Sequence, residues 1–238
     1  MISWRLEAHA ELGSTSDEVV RRAKAGEPAG LAVLAHRQTA GRGSRGRAWS
    51  APEGNLNLSI LLRPAQPPAR AGLFSLLCGI AVAEALKGLG ARSLSLKWPN
   101  DVLCGGAKLA GLLIDAAPDG ERLDWLCVGI GVNLKAAPDI PGRRTAALAA
   151  QGLDIAPETA ARAILVRLEG WLEAPASEIL AAWLARAHPP GTQMDIAYAG
   201  QRRSGRFAGL SASGELLLQC EDRIETINTG EVLLARGS

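Results

Sequence analysis

The sequence predicts an α+β protein in two parts, a mixed-sheet α/β domain over residues 1–188 and a small β-barrel domain over residues 189–238. In the first part, short apolar or alternating runs typical of strands are interspersed with amphipathic helical patterns. After the helix-breaking His188-Pro189-Pro190-Gly191 segment, only short strand-like runs remain, and glycines separate them at short intervals. These glycines are Gly200, Gly205, Gly209, Gly214 and Gly230.

The composition is that of an ordinary soluble globular chain. Of 238 residues, 47% are hydrophobic and 21% are charged, and the formal net charge of +2 argues against a nucleic acid held by bulk charge. The N-terminus has no signal-peptide pattern, and the most apolar run, residues 71–83, is too short to span a bilayer. The cysteines and histidines are scattered without metal-ligand spacing. We therefore expect a cytoplasmic protein with reduced thiols, no membrane partner and no metal held by a direct protein cluster.

The elements of the first part follow from their patterns of apolar residues. Alternation with period two predicts half-buried strands, continuous apolar runs predict buried strands, and apolar residues three or four apart predict helices. Thr15 and Glu18 have capping-box spacing at the first helix, although a cap needs only one of the hydroxyls of Ser14 and Thr15. The predicted strands are residues 2–9, 31–35, 55–62, 94–98, 102–104, 107–114 and 123–134. The predicted helices are residues 14–26, 71–87, 157–173 and 177–187, with a frayed helix at 145–150.

A predicted hairpin brings two lysines close to a carboxylate. Lys97 points to the opposite face of its strand from the flanking apolar residues, and the strand breaks at Pro99-Asn100-Asp101. The turn signal Gly105-Gly106 then places Lys108 on a strand adjacent to residues 97–101.

Gly129 and Gly131 lie two residues apart on a predicted buried strand, so both remove a side chain from the same face of the sheet. Such a gap makes room either for a flat ligand or for a close contact between the strand and a helix. The residues themselves leave both interpretations open.

The segment 38–49 interleaves glycines with Arg42, Arg45 and Arg47 and ends at Trp49, and no acidic residue occurs between Glu27 and Glu53. Glycine lets backbone N–H groups approach an anion, and guanidinium groups donate in pairs to phosphate. A phosphate-binding loop is the favoured interpretation. A solvated basic loop and a nucleic-acid contact remain as alternatives.

Taken in order, these segments resemble the biotin–protein ligases, in the class that lacks an N-terminal DNA-binding domain. The resemblance covers about residues 14–134, and the small C-terminal barrel also fits that family. The motifs that carry it are Ser14-Thr15, Gln38, Gly41-Arg42-Gly43, Arg45-Gly46-Arg47, Trp49, Lys97-Trp98-Pro99-Asn100-Asp101, Lys108-Leu109-Ala110-Gly111 and Gly129-Ile130-Gly131-Val132-Asn133.

The resemblance implies an ATP-dependent biotin–[acetyl-CoA-carboxylase] ligase that forms an amide bond in two steps. Biotin attacks the α-phosphate of ATP in the presence of Mg²⁺, giving biotinyl-5′-AMP, and a lysine of a biotin carboxyl carrier protein or domain then accepts the biotin. It also implies a catalytic domain similar to that of class II aminoacyl-tRNA synthetases, followed by a Src-homology-3-like barrel. An exposed sheet edge could pair two copies in a homodimer or dock the carrier, and the sequence does not choose between these roles.

The resemblance also assigns roles to the matched residues. Arg42, Lys108 and Asp101 are implied to be catalytic, the cations by neutralising charge and Asp101 by orienting or deprotonating the incoming lysine or by helping to hold Mg²⁺. Lys97 is implied to support the site indirectly. Biotin is expected to contact Ser14, Thr15, Gln38, Gly41, Arg42, Gly43, Arg45, Trp49, Lys108, Gly111, Gly129 and Gly131. ATP or the adenylate is expected to contact Arg42, Arg45, Arg47, Trp49, Asn100, Lys108 and Asn133.

Two residues differ from the family pattern. Ser16 stands where asparagine commonly follows Ser-Thr, and Ser44 stands where the loop commonly has another arginine. The absence of a guanidinium group at position 44 is expected to weaken either the binding of phosphate or the ordered closure of the loop.

Two other functions compete with this interpretation. A lipoate–protein ligase shares the fold and the two-step chemistry, but its Arg-Arg-x-x-Gly-Gly-Gly type of motif is absent. A nucleic-acid-binding module would need aromatic residues among the basic ones. Only Trp49 lies near the arginines, and the predicted barrel has only Tyr198 and Phe207.

Overall fold

The computed structural model describes residues 2–198 and 201–234. The turn predicted at Gly200 and the end of the predicted barrel beyond Leu234 lie outside the described residues.

A seven-stranded mixed sheet with helices on both faces forms the first part, which confirms the predicted fold class. The strands lie in the order β1-β2-β3-β7-β6-β5-β4, in which β1 and β2 are parallel and every other pair is antiparallel. The elements are β1 (Arg5–Leu12), α1 (Thr15–Lys24), β2 (Leu31–Gln38), β3 (Leu56–Leu62), α2 (Ala71–Gly88), β4 (Leu94–Lys97), β5 (Asp101–Cys104), β6 (Ala107–Asp119), β7 (Arg122–Val132), α3 (Pro157–Leu172) and α4 (Ala176–Leu184).

Both faces of the central strands are covered, which explains their apolar runs. In β2, Leu31 and Val33 pack with α1 in one cluster, whereas Ala32 and Leu34 pack with α2 and α3 in the larger cluster on the opposite face. The core therefore has two layers, and the central strands are fixed between them.

The apolar helix α2 is longer than the predicted apolar run. With the preceding helical turn it extends over Pro68–Gly88, 21 residues, which is long and apolar enough to cross a membrane by length and composition alone. This length corrects the expectation that the apolar run is too short to span a bilayer. Because 72% of the apolar window is buried inside the protein against the sheet and α3, the core accounts for the composition.

Two further predictions are wrong in detail. The frayed helix expected at residues 145–150 is a short 3-10 turn at Leu148–Gln151, because Thr145 instead bridges to Lys108 on β6. Strand β6 extends well beyond residue 114, since it pairs with β7 as far as Asp119 through a bulge at Ala117/Pro118.

The second part is a five-stranded antiparallel sheet in the order β11-β10-β9-β8-β12. The predicted boundary between residues 188 and 189 falls in the connection after α4 and stays a prediction, since both sheets contribute to one hydrophobic cluster. Strand β12 lies against the end of β4, where the ammonium of Lys97 donates to Val232 O at 3.3 Å. The strands are β8 (Gln193–Tyr198), β9 (Gln201–Leu210), β10 (Leu216–Cys220), β11 (Arg223–Ile227) and β12 (Glu231–Leu234).

Candidate active site

Two adjoining cavities lie between residues 38–49, here called the Gly/Arg loop, and strands β5 to β7. The first is lined by Thr15, Ser16, Gln38, Arg42, Gly43, Ser44, Trp49, Asn57, Leu58, Asn100, Lys108, Gly111, Leu112, Leu113, Gly129, Ile130 and Gly131. The second is lined by Ser44, Arg45, Arg47, Lys97, Trp98, Pro99, Asn100, Asp101, Lys108, Leu113, Arg143, Thr229, Gly230, Glu231 and Val232. Both lists contain Ser44, Asn100, Lys108 and Leu113, so Lys108 stands at the junction of the two cavities.

Uncharged hydrogen-bonding groups form one end of the first cavity. The backbone N–H and the hydroxyl of Thr15 donate to Gln38 Oε1 at 2.7 and 3.1 Å, and Gln38 Nε2 donates to Asn57 Oδ1 at 3.2 Å. Ser59 Oγ lies 2.7 Å from Thr15 Oγ1 and 3.0 Å from Ser16 Oγ. Neither Asn57 nor Ser59 was predicted from the sequence, although polar residues that alternate with leucines in a buried strand indicate buried polar groups that need partners.

Ser14, which was expected to contact biotin, is the cap of the first helix. Its side chain caps α1 by accepting from the N–H of Asp17 at 3.4 Å, and it does not line either cavity. The capping box expected from Thr15 and Glu18 is therefore wrong by one position. The hydroxyl of Thr15 is free for the network because Ser14 provides the cap.

Glycines form the floor of the first cavity, and the indole of Trp49 lies on it. A Cβ atom added at Gly131 would lie 2.3 Å from Trp49 Cε2, and one at Gly111 would lie 3.2 Å from Trp49 Cζ3. A Cβ atom at Gly129 would instead lie 2.7 Å from Ser16 Oγ on α1. The close contact between strand and helix is therefore found at Gly129, whereas the gap at Gly131 is filled by the indole of Trp49, and room for a flat ligand there stays a prediction. With the indole in place the cavity measures only ≈ 50 Å³, so a bicyclic ligand needs the ring to move.

The carboxylate of Asp101 lies between two ammonium groups, close to the junction of the two cavities at Lys108. Asp101 is 7% exposed, and its oxygens lie 2.5 Å from Lys108 Nζ and 3.0 Å from Lys97 Nζ. Burial raises the pKa of Asp101, but Lys108 and Lys97 outweigh that effect and hold the pKa below its ordinary value. Burial lowers the pKa of Lys108 although Asp101 opposes this. Lys108 Nζ also lies 5.7 Å from the centroid of the Trp49 ring.

The sequence had suggested that the arginines of the loop lack nearby carboxylates. In the structure, each of them pairs with at least one carboxylate. Arg42 pairs with Asp17 through Nε at 2.8 Å and with Asp115 through Nη2 at 2.5 Å. Arg45 and Arg47 pair with Glu231 of the C-terminal sheet at 3.2 and 3.1 Å. These carboxylates are far away in sequence, so no local pattern could reveal them.

Two predicted asparagines are placed differently. Asn100 lines both cavities, and its amide donates to Leu112 O at 2.6 Å. Asn133 lines neither cavity; its Nδ2 donates to Ala146 O at 3.1 Å, and its buried Oδ1 has no partner among the described residues. Asn133 therefore fixes the chain behind Lys108 in this structure, where a contact with the adenylate was predicted.

The structure thus brings most of the predicted residues to one place. Of the residues expected at biotin, Ser14, Gly41 and Arg45 do not line the first cavity, and the others do. The second cavity is lined by four of the residues expected at ATP, namely Arg45, Arg47, Asn100 and Lys108. It is also lined by Arg143, which was not predicted from the sequence. Glycine at position 41 has a structural explanation, because a Cβ atom there would lie only 2.5 Å from Trp49 O.

Comparison with known proteins identifies the family. Residues 14–133, half of the chain, match the family model described as the biotin/lipoate A/B protein ligase family. The chain belongs to the biotin/lipoate protein ligase family. Residues 196–234 match the model of the biotin protein ligase C-terminal domain, which corresponds to the five-stranded sheet.

Similar members of the family carry specific names. The biotin–[acetyl-CoA-carboxylase] ligase of Paracoccus denitrificans is 37% identical, over 94% of this chain and 98% of that protein. The enzyme of the same name from Mycobacterium tuberculosis is 31% identical, over 98% and 90%. Among solved structures, the biotin protein ligase from Aquifex aeolicus in complex with biotin and ATP has a TM-score of 0.80 and 29% identity, covering 98% of this chain and 99% of that one.

Proposed function

We propose that this member of the family is a biotin–protein ligase that activates biotin with ATP and transfers it to a lysine of a biotin carboxyl carrier domain. The observation that carries the proposal is the position of Lys108, a largely buried ammonium between a cavity with uncharged polar groups at one end and a second cavity lined by several cations. The family relationship and the names of its similar members support the same reaction.

In the first step, an oxygen of the biotin carboxylate attacks the α-phosphorus of ATP, and pyrophosphate leaves. Two anions must approach each other, so the first requirement is positive charge rather than a base. Lys108 at the junction and Arg42 in the lining of the first cavity supply that charge from fixed positions, since both side chains are held by carboxylates of the chain. Thr15, Gln38 and Asn57, which line the first cavity, offer donors and acceptors to the ureido ring of biotin, and the buried Ser59 holds the hydroxyl of Thr15 in place.

In the second step, the amine of the carrier lysine attacks the carbonyl carbon of biotinyl-5′-AMP, AMP leaves and the amine loses a proton. The low pKa of Asp101 makes its carboxylate a weak base. We therefore assign Asp101 to orienting Lys108 and the incoming amine rather than to taking up the proton.

The residues around Asp101 bear on how magnesium would be held. Both oxygens of Asp101 are engaged by lysines, and the described residues hold no group of three or more His, Cys, Asp or Glu side chains suited to a metal ion. We propose that Mg²⁺ arrives on the phosphates of ATP, and we derive no step through a protein-bound ion. The reaction is placed in the cytoplasm, where carrier domains and ATP are available.

The lipoate alternative is less well supported by the first cavity. A dithiolane ring has no N–H or carbonyl group to satisfy the polar side chains there, whereas a ureido ring has both. The nucleic-acid alternative is weaker still, because such a module needs aromatic residues among the basic ones, and the indole of Trp49 instead lies on the glycine floor of the first cavity.

Mass spectrometry of a carrier domain tests the function directly. After incubation with the protein, Mg-ATP and biotin, we expect the carrier to gain the mass of one biotinyl group, with no gain when lipoate replaces biotin. A carrier with its acceptor lysine changed to arginine is the control. Modification by lipoate alone, or no modification, contradicts the proposal.

Ser44→Arg is expected to slow the release of biotinyl-5′-AMP. Ser44 lines both cavities beside Lys108, so an arginine there can reach the phosphate of the adenylate. One charge-assisted hydrogen bond contributes about 1.5–3 kcal/mol, so dissociation should slow roughly tenfold or more. Stopped-flow displacement of the adenylate measures this rate, and an unchanged rate would show that the serine does not limit retention.

A further inference from the structure

A third cavity, of ≈ 420 Å³, lies on the opposite face of the sheet from the first two and is larger than either. Pockets that hold small molecules measure about 300–1,000 Å³. Leu62 of β3 lines the third cavity, whereas Asn57 on the same strand lines the first. Because side chains alternate between the faces of a sheet and a strand rises about 3.4 Å per residue, the two places are separated by the sheet and by roughly 17 Å along it.

The walls of the third cavity are mostly apolar. They come from the end of β3 and the connector after it, from the first turns of α2, and from the turn between α3 and α4. Several of these side chains belong to the larger hydrophobic cluster, so packing fixes their positions. Apolar side chains in the lining include Leu62, Leu73, Phe74, Leu77, Leu172 and Ile179. Such walls offer no partner to a polar ligand and favour a hydrocarbon chain.

The connector between β3 and α2 supplies polar groups to the rim. Arg63 is already engaged, since it donates to Asp124 Oδ1 at 2.6 Å and to Ala23 O at 2.8 Å. Arg70 is exposed, and its side chain donates only to Gln66 Oε1 at 3.4 Å; no carboxylate of the described residues pairs with it. Arg70 is also the N-cap residue of α2, whose first turn has no acidic side chain, so the positive end of the helix adds to its charge.

One unpaired cation at the rim of an apolar cavity is suited to an amphipathic ligand with a single negative charge. The planar guanidinium group of Arg70 matches a carboxylate, and the amide N–H groups of Gln66 can donate beside it. A phosphate monoester carries about two negative charges. The exposed Glu173 also lines the cavity, and its charge disfavours a ligand that is so strongly anionic.

We propose that the third cavity binds one medium-chain fatty acid, with its carboxylate at Arg70 and Gln66 and its hydrocarbon chain against α2 and the turn between α3 and α4. The site shares no lining residue, within the described part of the chain, with the two cavities where biotin and ATP are proposed to react. Biotin and the fatty acid therefore bind at the same time.

Calorimetry with hexanoate, octanoate and decanoate on the full chain tests the proposal. Each added CH₂ group should tighten binding about fourfold until the chain fills the cavity. The titrations are repeated with excess biotin, because an alkyl carboxylate resembles the side chain of biotin and could enter the first cavity. Affinity that is unchanged by biotin supports the third cavity. No measurable binding, no increase with chain length, or loss of octanoate binding in the presence of biotin would overturn the proposal.

A pair of arginine variants locates the carboxylate. Arg70→Gln should weaken octanoate binding roughly three- to tenfold, because it removes one partly exposed charge-assisted hydrogen-bond donor, and should leave the binding of octan-1-ol unchanged. Arg162→Gln is the matched control, since Arg162 is an exposed arginine of α3 that does not line the cavity. Equal octanoate affinities in these two variants would contradict the assignment of the carboxylate.

A pair of alanine variants locates the hydrocarbon chain. Ala176→Phe, at the start of α4, places a ring in the cavity and should weaken both octanoate and octan-1-ol about tenfold or more. Ala181→Phe, at an exposed position of the same helix outside the cavity, should change neither. Circular dichroism establishes that each variant is folded. Equal affinities in the two folded variants would show that the chain lies elsewhere. These titrations require no biotin transfer, so they give their answer whether or not the protein proves to be a ligase.

Discussion

Lys108→Met is expected to reduce the rate of adenylate formation roughly 100- to 1,000-fold, the range seen when one preorganised group that stabilises a developing charge is removed. Lys108 is the cation at the junction of the two cavities, held there by Asp101 and packed near Trp49. Methionine keeps much of the side-chain length and removes the charge. Single-turnover release of pyrophosphate from biotin and ATP measures the step.

The matched control for this change is Lys135→Met. Lys135 has 62% of its side chain exposed and pairs only at the surface with Asp154 among the described residues. Its loss should leave adenylation unchanged. Biotin affinity measured separately should fall much less than the rate in Lys108→Met, because the neutral network remains. If the rate of Lys108→Met stayed within the range of the control, the proposed centre of the chemistry would be wrong.

Gly131→Ala is the second large expected effect, and it acts on biotin binding. The added methyl group would occupy space that the indole of Trp49 now fills, 2.3 Å from Trp49 Cε2, and that we expect the ring of biotin to enter once the indole moves. Overpacking of this kind costs about 1–3 kcal/mol, so biotin should bind about 5- to 150-fold more weakly. Equilibrium calorimetry with biotin gives the dissociation constant directly.

Gly170→Ala is the control for the added methyl group. Gly170 lies in α3, and a Cβ atom there would have no atom within 4 Å. That variant should bind biotin normally and be as stable as the parent or more stable, since alanine favours helix more than glycine does. Normal biotin affinity in a folded Gly131→Ala protein would mean that this floor is not the biotin site.

The sequence predicted those parts of the site that short stretches of chain determine. The turn at Gly105-Gly106 and the alternation of residues 94–98 were enough to place Lys97, Asp101 and Lys108 together, because a hairpin's register follows from its turn. The spacing of Gly129 and Gly131 predicted a stretch of β7 without side chains on one face, but it did not predict that Trp49 lies over Gly131. The sequence did not decide whether Ser14 or Thr15 caps the first helix, because either hydroxyl could accept a hydrogen bond from an N–H group at the start of that helix.

The contacts between distant segments could not be predicted. Glu231 lies 184 residues from Arg47 in the chain, and nothing near either residue indicates the pair. Arg143 belongs to a connection without a periodic pattern, and its position depends on hydrogen bonds to the backbone of Lys108. Such pairs arise only once both sheets have packed together, so local propensity carries no information about them.

The neutral network of Thr15, Gln38, Asn57 and Ser59 has a consequence for how the two substrates respond to salt. Mobile ions screen interactions between charges over a Debye length of about 8 Å at physiological ionic strength, but they leave hydrogen bonds between uncharged groups almost untouched. Added salt therefore competes with the triphosphate at one end of the site while the ring of the vitamin at the other end hardly senses it. Nucleotide occupancy, more than biotin occupancy, will follow the ionic composition of the cell.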